Sequence, residues 1–238
     1  MHFLDRSTVD EPGCLADWSY PDMNWDDFTE DGAACKRLLR LALQRLQSQQ
    51  IIDDQADDEI EYLLGLRCAY CEGQIYHGGH IEHFRRKNQK HFPHLTFDWN
   101  NLFLACGSKD HCGHYKDRPK APAYNPDELI KPDEHNPDDF LYFHSSGEVR
   151  VRHRPGMTDA DHGRATETIR VFNLNCKSLK GARRKALKQY LDSSNGILED
   201  LMVFEPQDQR DFIAHEIEAT KHDPYWTTIR HFFEKLPA

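Results

Sequence analysis

The chain has 238 residues, of which 38% are apolar and 11% aromatic, a balance that gives folded domains with a very polar surface and excludes a peptide or a disulfide miniprotein. No run approaches the ~18–20 apolar residues that span a bilayer, and the start Met1-His2-Phe3-Leu4-Asp5-Arg6 lacks a basic-then-apolar leader, so a cytoplasmic chain without a membrane partner is expected. The net charge of −10 is local: residues 1–62 hold 15 Asp and Glu against 5 Lys and Arg, and the rest hold 25 against 25, so acidity speaks against phosphate contacts only in the first quarter.

Residues 1–28, with Trp18, Trp25, Pro12 and Pro21 among many acids, read as irregular structure. From Asp31 to about Gln49, Leu38, Leu39, Leu41, Leu43 and Leu46 interspersed with Lys and Arg predict an amphipathic helix. A second helix is predicted from Asp54 to Leu64, with acids in the turn that the helix dipole favours. Residues 65–122 hold seven of the fifteen His and four of the seven Cys, poor material for an apolar core and good material for a metal-organised unit. The proline-rich stretch 119–138 reads as a surface loop, and residues 140–152 alternate around Ser-Ser-Gly as a β-hairpin. Helices are predicted near 158–172, 177–200, 208–221 and 224–234, with breaks around Asn173–Asn175, Pro206 and Pro224.

An odd number of cysteines in a chain with no export signal argues against a disulfide framework. Cys68-Ala-Tyr-Cys71 is instead a knuckle with two residues between thiols, and Cys106 with Cys112 is its expected counterpart. Two thiol pairs separated by a long loop build a closed four-thiolate zinc site, so structural Zn²⁺ is expected on Cys68, Cys71, Cys106 and Cys112. Between the pairs lie His80-Ile-Glu82-His83-Phe84, a loop rich in Arg and Lys, and Phe97-Asp-Trp-Asn-Asn101-Leu. An imidazole titrating near neutrality suits the deprotonation of water, and a carboxylate beside it suits a divalent ion, two requirements of phosphodiester hydrolysis.

With Glu82–His83, Asn101–Leu102 and Cys112-Gly-His-Tyr-Lys116 in that order over about 50 residues, the sequence resembles the HNH, or ββα-metal, endonuclease family. The resemblance implies an α+β fold: a small ββα-metal core with structural zinc, embedded in a mainly helical chain. The corresponding divisions are an acidic N-terminal region 1–62, a nuclease core with following loop and hairpin 63–155, and a helical region 156–238. It further implies Glu82 as a metal ligand, His83 as general base, Asn101 as the brace of the loop, Mg²⁺ or Mn²⁺ as catalytic ion, and products with a 5′-phosphate and a 3′-hydroxyl. The family usually carries His or Asn directly after the last Cys, where this chain has Gly113; His114 is taken as the third ligand and catalytic residue, with His111 in reserve.

Lys116 and Arg118 are expected on phosphate, as is the run Arg85, Arg86, Lys87 beside the base. The run from Lys177 to Lys188, with Arg183, Arg184 and Lys185 at its centre and no acid within it, is a second expected contact with nucleic-acid backbone. Taken together, Cys-Ala-Tyr-Cys, Ile-Glu-His-Phe, Phe-Asp-Trp-Asn-Asn-Leu and Asn-Leu-Asn in the C-terminal part resemble the HNH proteins of Septu-type anti-phage systems, the PtuB group, some of them retron-associated. That implies a nuclease licensed by a PtuA-type ABC ATPase and, in the retron form, by a reverse transcriptase with its RNA–DNA hybrid; the substrate is DNA or an RNA such as tRNA. The competing reading is a non-catalytic zinc-stabilised module that binds nucleic acid or protein.

Overall fold

A computed structural model of the chain describes residues 1–48, 65–75, 79–194, 196–197, 201 and 203–236; the helix expected at 54–64 lies outside the described residues. Short helix α1 (Trp25–Glu30) starts at a capping box in which the Asn24 side chain accepts from the N–H groups of Asp26 and Asp27, while the Asp27 carboxylate accepts from Asn24. Helix α2 (Ala33–Ser48) follows the predicted leucine period and buries Leu39, Leu43 and Leu46. Its last turn carries a buried amide with a structural task. Gln47 donates to the carbonyls of Arg67 and Leu104 at 2.8 and 2.9 Å and accepts from the Leu104 N–H at 2.6 Å, so a side chain satisfies the open edge of a buried strand.

That strand is β2 (Leu102–Ala105), paired antiparallel with β1 (His80–His83) in the register Glu82 to Phe103 and His83 to Leu102. All four β2 residues are buried, and the five-residue helix α3 (Cys112–Lys116) follows. The proline-rich stretch 119–138 forms loop and single 3₁₀ turns, and the predicted hairpin is present as β3 (Leu141–Phe143) against β4 (Val149–Val151). Its turn needs glycine: Gly147 has φ +85°, and a Cβ there would fall 2.0 Å from the Lys180 carbonyl oxygen. Helices α4 (Asp159–Val171), α5 (Lys177–Ser193), α6 (Pro206–Ala219) and α7 (Trp226–Phe233) complete the chain. Pro206 opens α6 rather than interrupting it, because the first helical position lacks a bonded N–H in any case.

One apolar cluster runs from Met1, Leu4 and Leu15 through α2, the β1–β2 pair and the hairpin to Phe172 and Leu179, and a smaller one joins Leu187 of α5 to Ile229 and Phe233 of α7. The expectation of free thiols throughout is corrected at one pair: Cys14 and Cys35 form a disulfide, their Cα atoms 5.8 Å apart, because the 3₁₀ turn Gly13–Asp17 packs on the first turn of α2. No helix among the described residues is long and apolar enough to cross a membrane.

Candidate functional site

The knuckle Cys68–Cys71, the end of β2 and the start of α3 bring the sulfur atoms of Cys68, Cys71, Cys106 and Cys112 within 4.8 Å of one another. Four thiolates at ~2.3 Å from a tetrahedral zinc stand about 3.8 Å apart. The Cys68–Cys112 and Cys71–Cys106 separations are 3.8 and 3.9 Å, so the site fits a four-thiolate ion in size and ligand type. Around it, the Gly73 N–H points at the Cys71 sulfur at 3.4 Å, and His111 Nδ1 lies 3.2 Å from that of Cys112. His111, the reserve ligand for the catalytic ion, thus stands in the shell of the thiol cluster.

The second centre begins with strand alternation, which puts His80 and Glu82 on one face of β1. His80 Nε2 donates to Glu82 Oε2 at 3.0 Å, and Lys116 Nζ lies 2.9 Å from Oε1. Burial alone would raise the Glu82 pKa, but the Lys116 ammonium and the His80 bond outweigh it and hold it at about 2. The carboxylate lies over the first turn of α3, and there the departure from the family pattern acquires a reason: a Cβ on Gly113 would fall 2.3 Å from Glu82 Oε2. The position has no room for a side chain while Glu82 holds it. His114 projects from the next residue and stacks on His80, ring centroids 4.1 Å apart and 14° from parallel.

His83 points differently along the strand yet lines the same cavity. Its Nε2–H donates to the Thr96 carbonyl at 3.0 Å, leaving Nδ1 as the unprotonated nitrogen, and the Trp25 ring meets it edge-on at 4.5 Å. Burial and the Lys87 ammonium push the imidazole down to about 3, against the Thr96 hydrogen bond and the Glu82 charge, so the ring is neutral at ordinary pH. Asn101 braces the loop between the strands: its amide accepts from the Arg85 N–H at 2.7 Å and donates to the Arg85 and Leu95 carbonyls, each at 3.0 Å.

His80, Glu82, His83, Lys87, His114 and Arg118 share the wall of one cavity of about 470 Å³. Among the described residues only the four thiols form a ligand cluster as tight as 4.8 Å, so the second centre is a looser set of donors. It nevertheless fits a divalent ion in donor type: His80 Nε2, the Glu82 carboxylate and the His114 imidazole lie together on one wall, and an ion between Nε2 and Oε2 would replace the hydrogen bond that joins them. The motifs assign His80 no role, although the two-residue period of a strand is the signal that pairs it with Glu82.

Two expected phosphate contacts are corrected by burial. Lys116 is 1% exposed and is spent inside the fold on Glu82, on Asp117 at 2.9 Å and on the His83 carbonyl at 3.0 Å. Arg183 is 0% exposed: it donates to the carbonyls of Gly147 and Leu174 at 3.1 and 2.6 Å and lies over the Phe143 ring, binding the hairpin turn to α5. Arg85 and Arg86 are half-buried and paired, with Asp127 at 2.5 Å and Asp117 at 2.7 Å, and only Arg86 of the two reaches the cavity wall. Lys87 and Arg118 face the cavity, and Arg184 and Lys185 are exposed on α5.

No protein-family model matches the chain. It is 29% identical over 207 residues to a protein of Escherichia coli named "Retron Ec83 putative HNH endonuclease", an alignment that covers 70% of this chain and 71% of the relative.

Proposed function

We propose that the chain is a metal-dependent nuclease of the HNH type, hydrolysing phosphodiester bonds of DNA or RNA in a retron-linked anti-phage system. The observation that carries this reading is one cavity walled by a buried charged carboxylate, a neutral imidazole of fixed tautomer and two cations, on a β-β-α unit clamped by four thiols. The resemblance of the motifs and the name of the E. coli relative both support it.

His83 presents Nδ1 as proton acceptor for a water attacking the phosphorus, because Nε2 is tied to Thr96. A phosphate anion beside Lys87 would offset the second of the two effects, after burial, that hold the imidazole low. Asn101 keeps the loop carrying Arg85 to Leu95 in one shape and so fixes the carbonyl that orients the base. Lys87 and Arg118 attract and place the backbone. His80, Glu82 and His114 would hold the divalent ion, Mg²⁺ or Mn²⁺, which when bound supplies neutralisation of the phosphate charge and of the leaving oxygen. The four-cysteine site takes Zn²⁺ as a structural ion. A PtuA-type ATPase and a reverse transcriptase with its RNA–DNA hybrid are the partners that the Septu and retron resemblances bring with them.

The test is incubation of the chain, with such an ATPase present, with supercoiled plasmid and with tRNA under Mg²⁺ or Mn²⁺. Wild type is expected to cut one of them, and His83→Ala to lose at least 100-fold of that rate with zinc content and melting temperature unchanged. Undiminished cutting by His83→Ala would remove the imidazole from the reaction. One observation favours the second reading, a non-catalytic zinc-stabilised binding module: Lys116 already occupies one Glu82 oxygen. That reading expects no cleavage by wild type and tight binding that is indifferent to His83→Ala.

A further inference from the structure

The nuclease reading leaves a feature outside the β-β-α unit unused. A second open cavity, of about 780 Å³, adjoins the catalytic one and is walled by Lys109, Asp110, Tyr115, Arg118, Lys177 and Gly181. Arg118 belongs to both walls. Its guanidinium lies 3.4 Å from the centroid of the Tyr115 ring and donates to the Tyr115 carbonyl at 2.7 Å, so the cation is held at the junction, and among the described residues it has no salt bridge to an acid.

From this cavity α5 leads away. Arg183 faces the core with Leu179 and Leu187, Lys180 is half-buried, and Lys177, Arg184, Lys185 and Lys188 are exposed. At 100° per residue, Lys177, Arg184 and Lys188 fall within about 40° of one another, a single stripe about 17 Å long that starts at the cavity wall. In a chain of net charge −10 this helix has no acid between residues 177 and 188. Lys180 to Arg184 and Arg184 to Lys188 are like-charged pairs one helical turn apart, an arrangement that weakens a helix. Of the stripe, only Lys188 has a salt bridge among the described residues, with exposed Asp192 at 2.6 Å.

We infer that Arg118 and the Lys177–Arg184–Lys188 stripe form a track for the phosphodiester backbone flanking the cleavage point. The inference rests on the nuclease reading and extends it to an element outside the β-β-α unit. The occupant follows from charge complementarity and from continuity with the catalytic cavity through one shared side chain. Duplex DNA rises ~3.4 Å per base pair, so the stripe matches about five steps of backbone beyond the cavity.

The experiment uses the full chain in a His83→Ala background, which prevents turnover, with a labelled 30-base-pair DNA duplex and a labelled RNA hairpin as separate probes. Lys177→Glu/Arg184→Glu/Lys188→Glu is compared with Arg154→Glu/Arg210→Glu/Lys221→Glu, which makes the same charge change elsewhere. The track predicts that the stripe variant binds at least tenfold more weakly than the control and that its log–log salt slope falls by about 2 to 3, one for each phosphate that the chain no longer neutralises. The probe that shows the weaker binding identifies DNA or RNA as the occupant. Equal affinity of the two variants on both probes, or no binding by the parent chain, overturns the inference, whatever His83→Ala does to cleavage in the test above. Zinc content and melting temperature report folding, and the same three positions changed to Gln supply the comparison if charge reversal unfolds the chain.

Discussion

Lys116 is a cation that the fold uses internally, and its neighbours show why. The ammonium stands 2.9 Å from Glu82 Oε1 and from Asp117 Oδ1, and is 1% exposed. Removing one member of a buried pair leaves the other charge without compensation, at a cost of roughly 3–5 kcal/mol. Lys116→Met should therefore lower stability in urea by about that amount, whereas Glu82→Gln/Lys116→Met should recover most of it; equal losses in both would mean the pair is not the cause. Gly113 is governed by the same carboxylate. In many proteins a glutamate end would swing aside for a new methyl group, but here both oxygens are held, by Lys116 and by His80. Gly113→Asn, which restores the residue type usual in the family pattern, should lower the cleavage rate at least tenfold with zinc content unchanged, and activity at or above wild type would show that Glu82 is free to move.

At the scale of elements, the segment before α2 buttresses His83. Trp25 meets His83, and Trp25, Phe28 and Trp18 gather around Phe97, which precedes the turn into β2. The Cys14–Cys35 bridge closes this segment onto α2 with a sequence separation of 21 residues. Closing a loop of that size is worth about 3 kcal/mol in the chain-entropy account, so Cys14→Ser/Cys35→Ser should lose roughly that stability in a denaturant titration, with one zinc per chain retained. The bridge was illegible in the sequence because an odd cysteine count says nothing about which two thiols a turn and a helix will bring together. Helices α2 and α4 to α7 and the β3–β4 hairpin were legible, since their signals are local: leucines at helical spacing, alternation around Gly147, proline and asparagine at the ends. The thiol set was legible for the same reason, as short-range spacing. What failed was sidedness. A run of cations does not reveal that Arg183 turns inward while Arg184 turns outward, and Lys116 reads as a phosphate ligand until Glu82 is seen beneath it.

Across the whole molecule the thiol cluster is the point where distant segments meet. The Cys112 N–H donates to the Phe172 carbonyl at the end of α4, and the Phe172 ring stacks on Tyr70 inside the knuckle, centroids 4.2 Å apart. Glu72, next to Cys71, is buried and takes the Met1 amino group at 3.5 Å, His2 at 3.2 Å and the Thr227 hydroxyl from α7, while its carbonyl accepts from the Tyr225 N–H at 3.1 Å. The first residues, α4 and α7 thus converge on one unit whose own elements are the two-stranded β1–β2 sheet and the five-residue helix α3. The thiol unit is continuous with the larger apolar core, and zinc in a structural site contributes on the order of 10–16 kcal/mol in zinc-finger peptides, against a total stability of about 5–15 for a domain. Stripping the ion should therefore unfold the larger core rather than loosen one loop. The expected result is one zinc per chain by atomic absorption, and cooperative loss of near-ultraviolet circular dichroism and of the melting transition on treatment with a strong zinc chelator. Readdition of Zn²⁺ should restore both, and Mg²⁺, which prefers oxygen ligands, should not. An unchanged melting curve in metal-free protein would show that the four thiols pack as ordinary core residues and that the β-β-α unit stands without them.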